Sequence, residues 1–163
     1  MVDVEERLAG HLASLFGRER RDRAPDLCTV CVVPVAPDGR VLLLRRSQER
    51  GGFWQPVTGR IEPGESVAAG ARRELLEETG ADVTVEDLGY RHAFAIEPGL
   101  LRGMGPGFLV AEESAFLARL PASFACRISD EHAEHAWLDP GAAIERLRFA
   151  GLRKAVRLAT RRQ

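Results

Sequence analysis

Between Gly59 and Ala81 the chain reads GRIEPGESVAAGARRELLEETGA, and this stretch limits what the remaining sequence can build around it. Gly59 is followed by Glu65, then by the pair Arg73-Glu74, the adjacent acids Glu77 and Glu78, and Gly80, with Leu75 and Ala81 at two positions that want an apolar residue. At ordinary residue frequencies, chance agreement at so many narrowly specified positions is about one in ten million or less for a chain of this length.

The punctuation of the stretch predicts a loop that feeds a helix. Pro63-Gly64 is a turn, Ser66 is an N-cap, and Gly80 stands where a helix ending at Thr79 wants a left-handed residue. A helix from Ser66 to Thr79 follows. At about 100° per residue, Glu74, Glu77 and Glu78 fall within one arc of about 100°. Val67, Ala68, Ala71, Leu75 and Leu76 lean the other way, so the apolar side is expected on a core and the carboxylate side toward a cavity or solvent. Arg72, about 160° from Glu74, is expected in the apolar arc with its head snorkelling to the edge. Gly70 costs about 1 kcal/mol relative to Ala in mid-helix and allows close backbone packing.

Like charges at i and i+4 destabilise a helix by a few tenths of a kcal/mol, and a divalent cation reverses that effect. Hard Mg²⁺ takes oxygen ligands, keeps several waters, and is usually bound by one or two carboxylates together with substrate phosphates. The alternative for three glutamates alone is a solvated helix face on which Arg73 screens Glu77. The glycine-bearing loop ahead of the helix favours the cation.

The segment resembles the Nudix box at every fixed position. The resemblance implies a mixed β-sheet sandwiched between α-helices, an α/β or α+β fold, and hydrolysis by water of a nucleoside diphosphate linked to a further group, with Mg²⁺ or Mn²⁺ as cofactor. Carried over residue by residue, it implies metal ligation by Glu74, Glu77 and Glu78 with the Gly59 carbonyl as a further ligand, and catalytic roles for Glu77 and Glu78. It makes Glu65 and Arg73 the pair that braces loop against helix. The longer run FWQPVTGRIEPGE is similar to the bacterial Nudix branch that includes dihydroneopterin triphosphate pyrophosphatase. That favours dihydroneopterin triphosphate or a (deoxy)nucleoside triphosphate, ahead of dinucleoside polyphosphates or nucleoside diphosphate sugars. A binding module that recognises nucleotides without cutting them is expected to lose box carboxylates, and this chain retains all of them.

Ahead of the box, Val4, Leu8, Leu12 and Leu15 predict an amphipathic helix, and Gly17 to Arg23 a charged linker, so residues 1–24 form an extension to a domain spanning 25–163. The helix's apolar stripe offers itself to its own domain or to a second copy in a homodimer. Leu27 to Val35 and Val41 to Leu44 predict a hairpin around Pro37-Asp38-Gly39. Arg45, Arg46 and Arg50 follow as candidate phosphate contacts. Phe53, Trp54 and Gln55 are candidates to line a substrate cleft, although on a strand one of the two aromatics points to the core.

Beyond the helix, Val83 to Ala95 predicts two short strands or one bent one, and the Gly- and Pro-rich Glu97 to Gly107 a loop governing substrate choice. Phe108 to Ala111 is a further apolar run, and Ala115 to Leu120 reads as strand or helix. Glu131-His132 and Trp137-Leu138-Asp139 resemble the close of the sheet in the same branch, and two helices are expected over Gly141 to Leu147 and Leu152 to Ala159. The attacking water needs a base. Glu131 is the choice for it over Glu112, Glu113 and Glu134. His132 and His135, three apart with Glu131 and Glu134 beside them, offer a transition-metal site as an alternative, but on a strand the two imidazoles point to opposite faces, which disfavours it.

The 163 residues fit one domain with a core of its own, and a net charge of -1 argues against nucleic-acid binding by bulk electrostatics. No apolar run reaches the roughly 18 residues of a membrane span. A small nucleotide-like substrate, no nucleic-acid or membrane partner, and a cytoplasmic location are therefore expected. Cys28 and Cys31 form a C-x-x-C, but within a strand they point to opposite faces and are expected to be buried free thiols.

Overall fold

The structure, a computed structural model, describes residues 25–96 and 109–162. The amphipathic helix and linker expected over residues 1–24, and the loop expected over 97–107, lie outside the described residues.

The described chain forms seven strands and three helices: β1 (Leu27–Val35), β2 (Val41–Arg46), β3 (Trp54–Gln55), β4 (Val57–Arg60), α1 (Val67–Thr79), β5 (Val85–Ile96), β6 (Leu109–Arg119), β7 (His132–Leu138), α2 (Pro140–Arg146) and α3 (Ala150–Thr160). β1 is the hub of a mixed sheet. It runs parallel to β6, antiparallel to β4, and turns into β2 through Gly39, whose φ of 87° suits glycine. β5 lies antiparallel on β6, while β7 and β3 flank β2.

Period-two alternation divides the apolar side chains between two cores. Val30, Val32, Leu42, Leu44, Val57, Phe116 and Ala118 face Ala71 and Leu75 of α1. Cys31, Val33, Val35, Val41, Leu43, Ala115 and Leu117 face Ala143 of α2 and Leu152, Ala155, Val156 and Ala159 of α3. Burying both faces of the same strands is what makes their sequence continuous in apolar residues. The result is the expected mixed sheet between helices.

α1 begins and ends at the signals in its sequence. The Ser66 hydroxyl accepts the Ala69 N–H at 3.2 Å, and Gly80 closes the helix at φ 78°. Its buried stripe differs from the expected one. Gly70, Ala71, Leu75, Glu78 and Thr79 are buried, whereas Leu76 is 45% exposed and Ala68 lies at the surface. Arg72 is also outside the core, paired with Asp82 at 2.7 Å. The stripe that meets the sheet follows Val67, Ala71, Leu75 and Glu78 at steps of three and four, and Arg72 and Leu76 lie about 100° and 140° round from Ala71.

Three other regions settle readings left open or reverse them. Val85–Ile96 is one strand, bent by a bulge between Asp87 and Tyr90 in which Gly89 takes φ 67°. The run from Ala115 is strand, because β6 pairs with β1 along its length. Cys31 is buried but Cys28 is exposed, since Cys28 lies near the start of β1, ahead of the fully covered positions.

Candidate active site at the glycine loop and its helix

Arg73 ties the loop after β4 to α1. Its Nε and Nη2 donate to the two oxygens of Glu65 at 2.9 and 3.0 Å, Nη2 also donates to the Arg60 carbonyl at 2.8 Å, and Nη1 donates to Glu74 at 2.8 Å. The Glu62 backbone N–H adds a further hydrogen bond to Glu65 at 3.0 Å. The Arg73 side chain, followed by that N–H, holds the Glu65 carboxyl below the usual carboxylate range.

Two glycines make room for this arrangement. A Cβ on Gly70 would come within 2.9 Å of Glu65 Oε2, so the bare backbone lets the brace lie against the helix. At Gly59 a Cβ would overlap the Glu74 carboxylate itself, which rests flat against the Gly59 Cα.

Glu78 is the most perturbed acid. It is 5% exposed, and burial, then the charges of Glu74 and Glu131, push its carboxyl up to about 9, against the pull of a Thr58 backbone N–H and of Arg46. Its Oε2 has no hydrogen-bond partner among the described residues. Half-buried Glu74 is also raised, first by burial and further by Glu77 and Glu131, with Arg73 opposing. Glu77 is exposed and turns toward Arg73 at 3.3 Å.

Glu131 reaches this group from the far side. Its carbonyl accepts the Ser47 N–H at 2.9 Å, its carboxylate pairs with Arg50 at 3.4 Å, and its charge acts on both Glu74 and Glu78. Glu134, by contrast, faces Arg45 across the β2 and β7 ladder and pairs with it. Glu113 is buried beside Thr29 and His92, and Glu112 is exposed on β6.

The candidate substrate contacts divide. Arg46 and Arg50 lie close enough to the acid cluster to depress the His132 imidazole, whose largest perturbation is burial. Arg45 follows Leu43 to the α2 and α3 face by strand alternation. Phe53 packs edge-on against Phe149, with ring centroids 5.3 Å apart. Trp54 packs on the core with the Arg146 guanidinium over its ring at 5.0 Å. Gln55 is 3% exposed and its Nε2 has no hydrogen-bond partner among the described residues.

The residues fit a hard divalent cation. Among the described residues no three His, Cys, Asp or Glu side chains already converge into a cage. Two carboxylates, Glu74 and Glu78, the latter with a buried unpartnered oxygen, match the habit of Mg²⁺, which retains waters and completes its shell with substrate phosphate.

Without metal, Glu78 keeps its proton over a range in which the unfolded chain has released it, since its value rises from 4.5 to about 9. Its contribution to stability is full at low pH and is lost as pH rises through that window. Melting temperature in EDTA is expected to fall between about pH 4.5 and about pH 9 through this group, and Glu78→Gln to flatten that limb. An unchanged slope in the variant contradicts the assignment.

A mixed sheet between helices, with an arginine-braced glycine loop and sequestered carboxylates at its edge, is the architecture of the Nudix hydrolases. The chain belongs to that family: the NUDIX domain model matches residues 27–158. Proteins of this family are hydrolases of pyrophosphate bonds that generally use divalent metals. The chain is 47% identical over 163 residues to a Myxococcus xanthus protein named octanoyltransferase, covering 98% of this chain but 44% of that protein. It is 32% identical over 133 residues to the dihydroneopterin triphosphate diphosphatase of Escherichia coli K12, covering 78% of this chain and 88% of that one. The solved structure of the E. coli dihydroneopterin triphosphate pyrophosphohydrolase superposes with a TM-score of 0.75 over 85% of this chain and 98% of that chain.

In the sequence His132 stands out as a neighbour of His135 at a spacing that does not suit a shared metal. The structure puts His132 beside Glu78 instead, with a side chain that is 0% exposed. The available signal was its place next to Glu131 at the start of a strand, but the facing residue is on α1, far away in sequence.

Proposed function

We propose that the chain is an Mg²⁺-dependent pyrophosphohydrolase that opens the phosphoanhydride of a nucleoside-triphosphate-like substrate by attack of water on phosphorus. The observation that carries the reading is Glu78: a buried carboxyl with an unpartnered oxygen, next to Glu74 and within the field of Glu131. Such a group is unfavourable in a site that holds nothing and useful in one that binds a cation.

Glu74 and Glu78 would hold the ion, with Glu77 and the Gly59 carbonyl completing the set once substrate is present. A bound Mg²⁺ or Mn²⁺ supplies neutralisation of phosphate charge and a more acidic bound water. Arg73 and Glu65 keep the loop fixed to α1, so that Glu74 does not swing away when substrate enters. Arg46 and Arg50 donate to phosphate oxygens. Arg45, Phe53 and Trp54 already have partners in Glu134, Phe149 and Arg146, so Gln55, with its unpartnered Nε2, is the better candidate for contact with the rest of the substrate.

Similarity to the E. coli diphosphatase supports dihydroneopterin triphosphate or a (deoxy)nucleoside triphosphate as substrate. The carboxylate cluster suits phosphate chemistry rather than acyl transfer. The larger part of the M. xanthus protein lies outside the match and is available to carry the activity in its name.

Glu131 takes the proton from the attacking water. Glu131→Gln is expected to lower kcat by at least tenfold, and by roughly 10²- to 10⁴-fold if the full contribution of a general base is lost, with KM little changed. Glu134→Gln, which removes only the partner of Arg45, is expected to leave kcat near wild type. The reverse pattern transfers the role to Glu134, and equal mild losses return it to the box carboxylates.

A further inference from the structure

Two buried polar atoms face each other across the edge of the site, and neither has a hydrogen-bond partner among the described residues. They are Glu78 Oε2 and His132 Nε2, 3.9 Å apart. The His132 side chain is 0% exposed and that of Glu78 is 7% exposed. The other imidazole nitrogen, Nδ1, lies 3.4 Å from the Ser129 hydroxyl. His132 is held at the start of β7 by its own backbone N–H, which donates to the Ser129 carbonyl at 3.2 Å, and by register opposite Arg46 of β2. The ring is therefore fixed by a tight turn and a ladder, and its free nitrogen points at an acid on a different element.

We propose that His132 is a positioning residue for Glu78: the Nε2–H of the neutral imidazole holds Oε2 of the ionised carboxylate, leaving the other oxygen oriented toward the bound cation. The proposal rests on the metal-binding reading of Glu78 given above. Its chemistry follows from the tautomer. When the Ser129 hydroxyl donates to Nδ1, the ring proton must sit on Nε2, the nitrogen that faces Glu78.

A gap of 3.9 Å is too long for a hydrogen bond. It closes by a side-chain adjustment of about 1 Å, which is favourable once Glu78 is ionised and has acquired an acceptor's full charge. Burial gives the contact its consequence. Deprived of water, an imidazole N–H and a carboxylate oxygen each lose more by remaining unpaired than they would at the surface. Carboxylates that bind metals are commonly held by such outer hydrogen bonds, whose loss lowers metal affinity or activity about 10- to 100-fold.

The competing account is that His132 only fills space between β7 and α1. Its two predictions differ from ours. Leucine fills a similar volume without a donor, whereas the amide of glutamine places an N–H near the position of Nε2.

The test is Mn²⁺ binding to the otherwise unliganded protein, followed by calorimetry, for wild type, His132→Leu, His132→Gln, Glu78→Gln and the double variant His132→Leu/Glu78→Gln. Metal-free melts establish that each variant is folded. Positioning predicts a loss in affinity of about tenfold or more for His132→Leu, recovery to within about threefold for His132→Gln, and no added loss from His132→Leu in the Glu78→Gln background. Wild-type affinity in His132→Leu, an equal loss in His132→Gln, or an additive loss in the double variant each overturns the proposal. If Glu78→Gln itself binds Mn²⁺ as wild type does, the metal-binding reading of Glu78 has failed, a result separate from any failure of His132 to act through it.

Discussion

Glu78→Gln is expected to reduce kcat by a hundredfold or more at saturating Mg²⁺, with the fold intact. The substitution keeps side-chain volume in a 5% exposed position and removes only the capacity to ionise and to accept a cation. Removal of a group acting in a metal-assisted or acid-base step costs about 10²- to 10⁴-fold. In the absence of metal the variant should be at least as stable as wild type at neutral pH, because a buried carboxyl with a value near 9 is replaced by a neutral amide. Loss of activity with a gain in stability is the signature of a residue retained for function. A variant with more than half the wild-type activity would remove Glu78 from the site.

Gly59→Ala is expected to be nearly as damaging, for a steric reason. Its backbone does not lie in the left-handed region, so alanine meets no conformational penalty there. The added methyl instead occupies the space of the Glu74 carboxylate, which must rotate away from its position over the loop and from Arg73. A displacement of about 1 Å in a site of this kind can cost about 10² in rate, and kcat/KM should fall by at least that much. Gly64→Ala is the matched control. Gly64 adopts φ 80° with open space around its Cα, so alanine there adds about 1 kcal/mol of backbone strain but touches no carboxylate. Comparable activity losses in the two variants would show that the loop responds to strain and not to displacement of Glu74.

Much of this site is legible in the sequence because its chemistry is local. The turn, the N-cap, the left-handed glycine and the acids of α1 lie within one continuous stretch, and their spacing fixes them on one helix. What spacing alone left undetermined was the rotation of that helix about its axis. Apolar periodicity turns Leu76 and Arg72 inward, yet Glu78 is the side chain that enters the protein, because Arg73, Arg60 and Glu65 fix the rotation through contacts outside the helix. The same limit applies between elements. Glu131 and His132 meet Glu74 and Glu78 only through the register of β7 on β2, which a single sequence does not reveal. Arg45 and Arg46 look alike as neighbours in sequence and are separated by strand alternation, one held by Glu134 and the other acting on Glu78.

The proposed reaction is a cation-dependent attack of water on a phosphoanhydride, organised by these carboxylates. It is tested most directly by incubating the protein with dihydroneopterin triphosphate and a panel of nucleoside triphosphates in heavy-oxygen water, with Mg²⁺ or with EDTA, and identifying the products by mass spectrometry. The predicted result is pyrophosphate release with one heavy oxygen in a phosphoryl product, dependent on Mg²⁺ and lost in Glu78→Gln. Turnover that persists undiminished in EDTA, or a folded protein that binds Mg²⁺ and opens no phosphoanhydride in the panel, would contradict it.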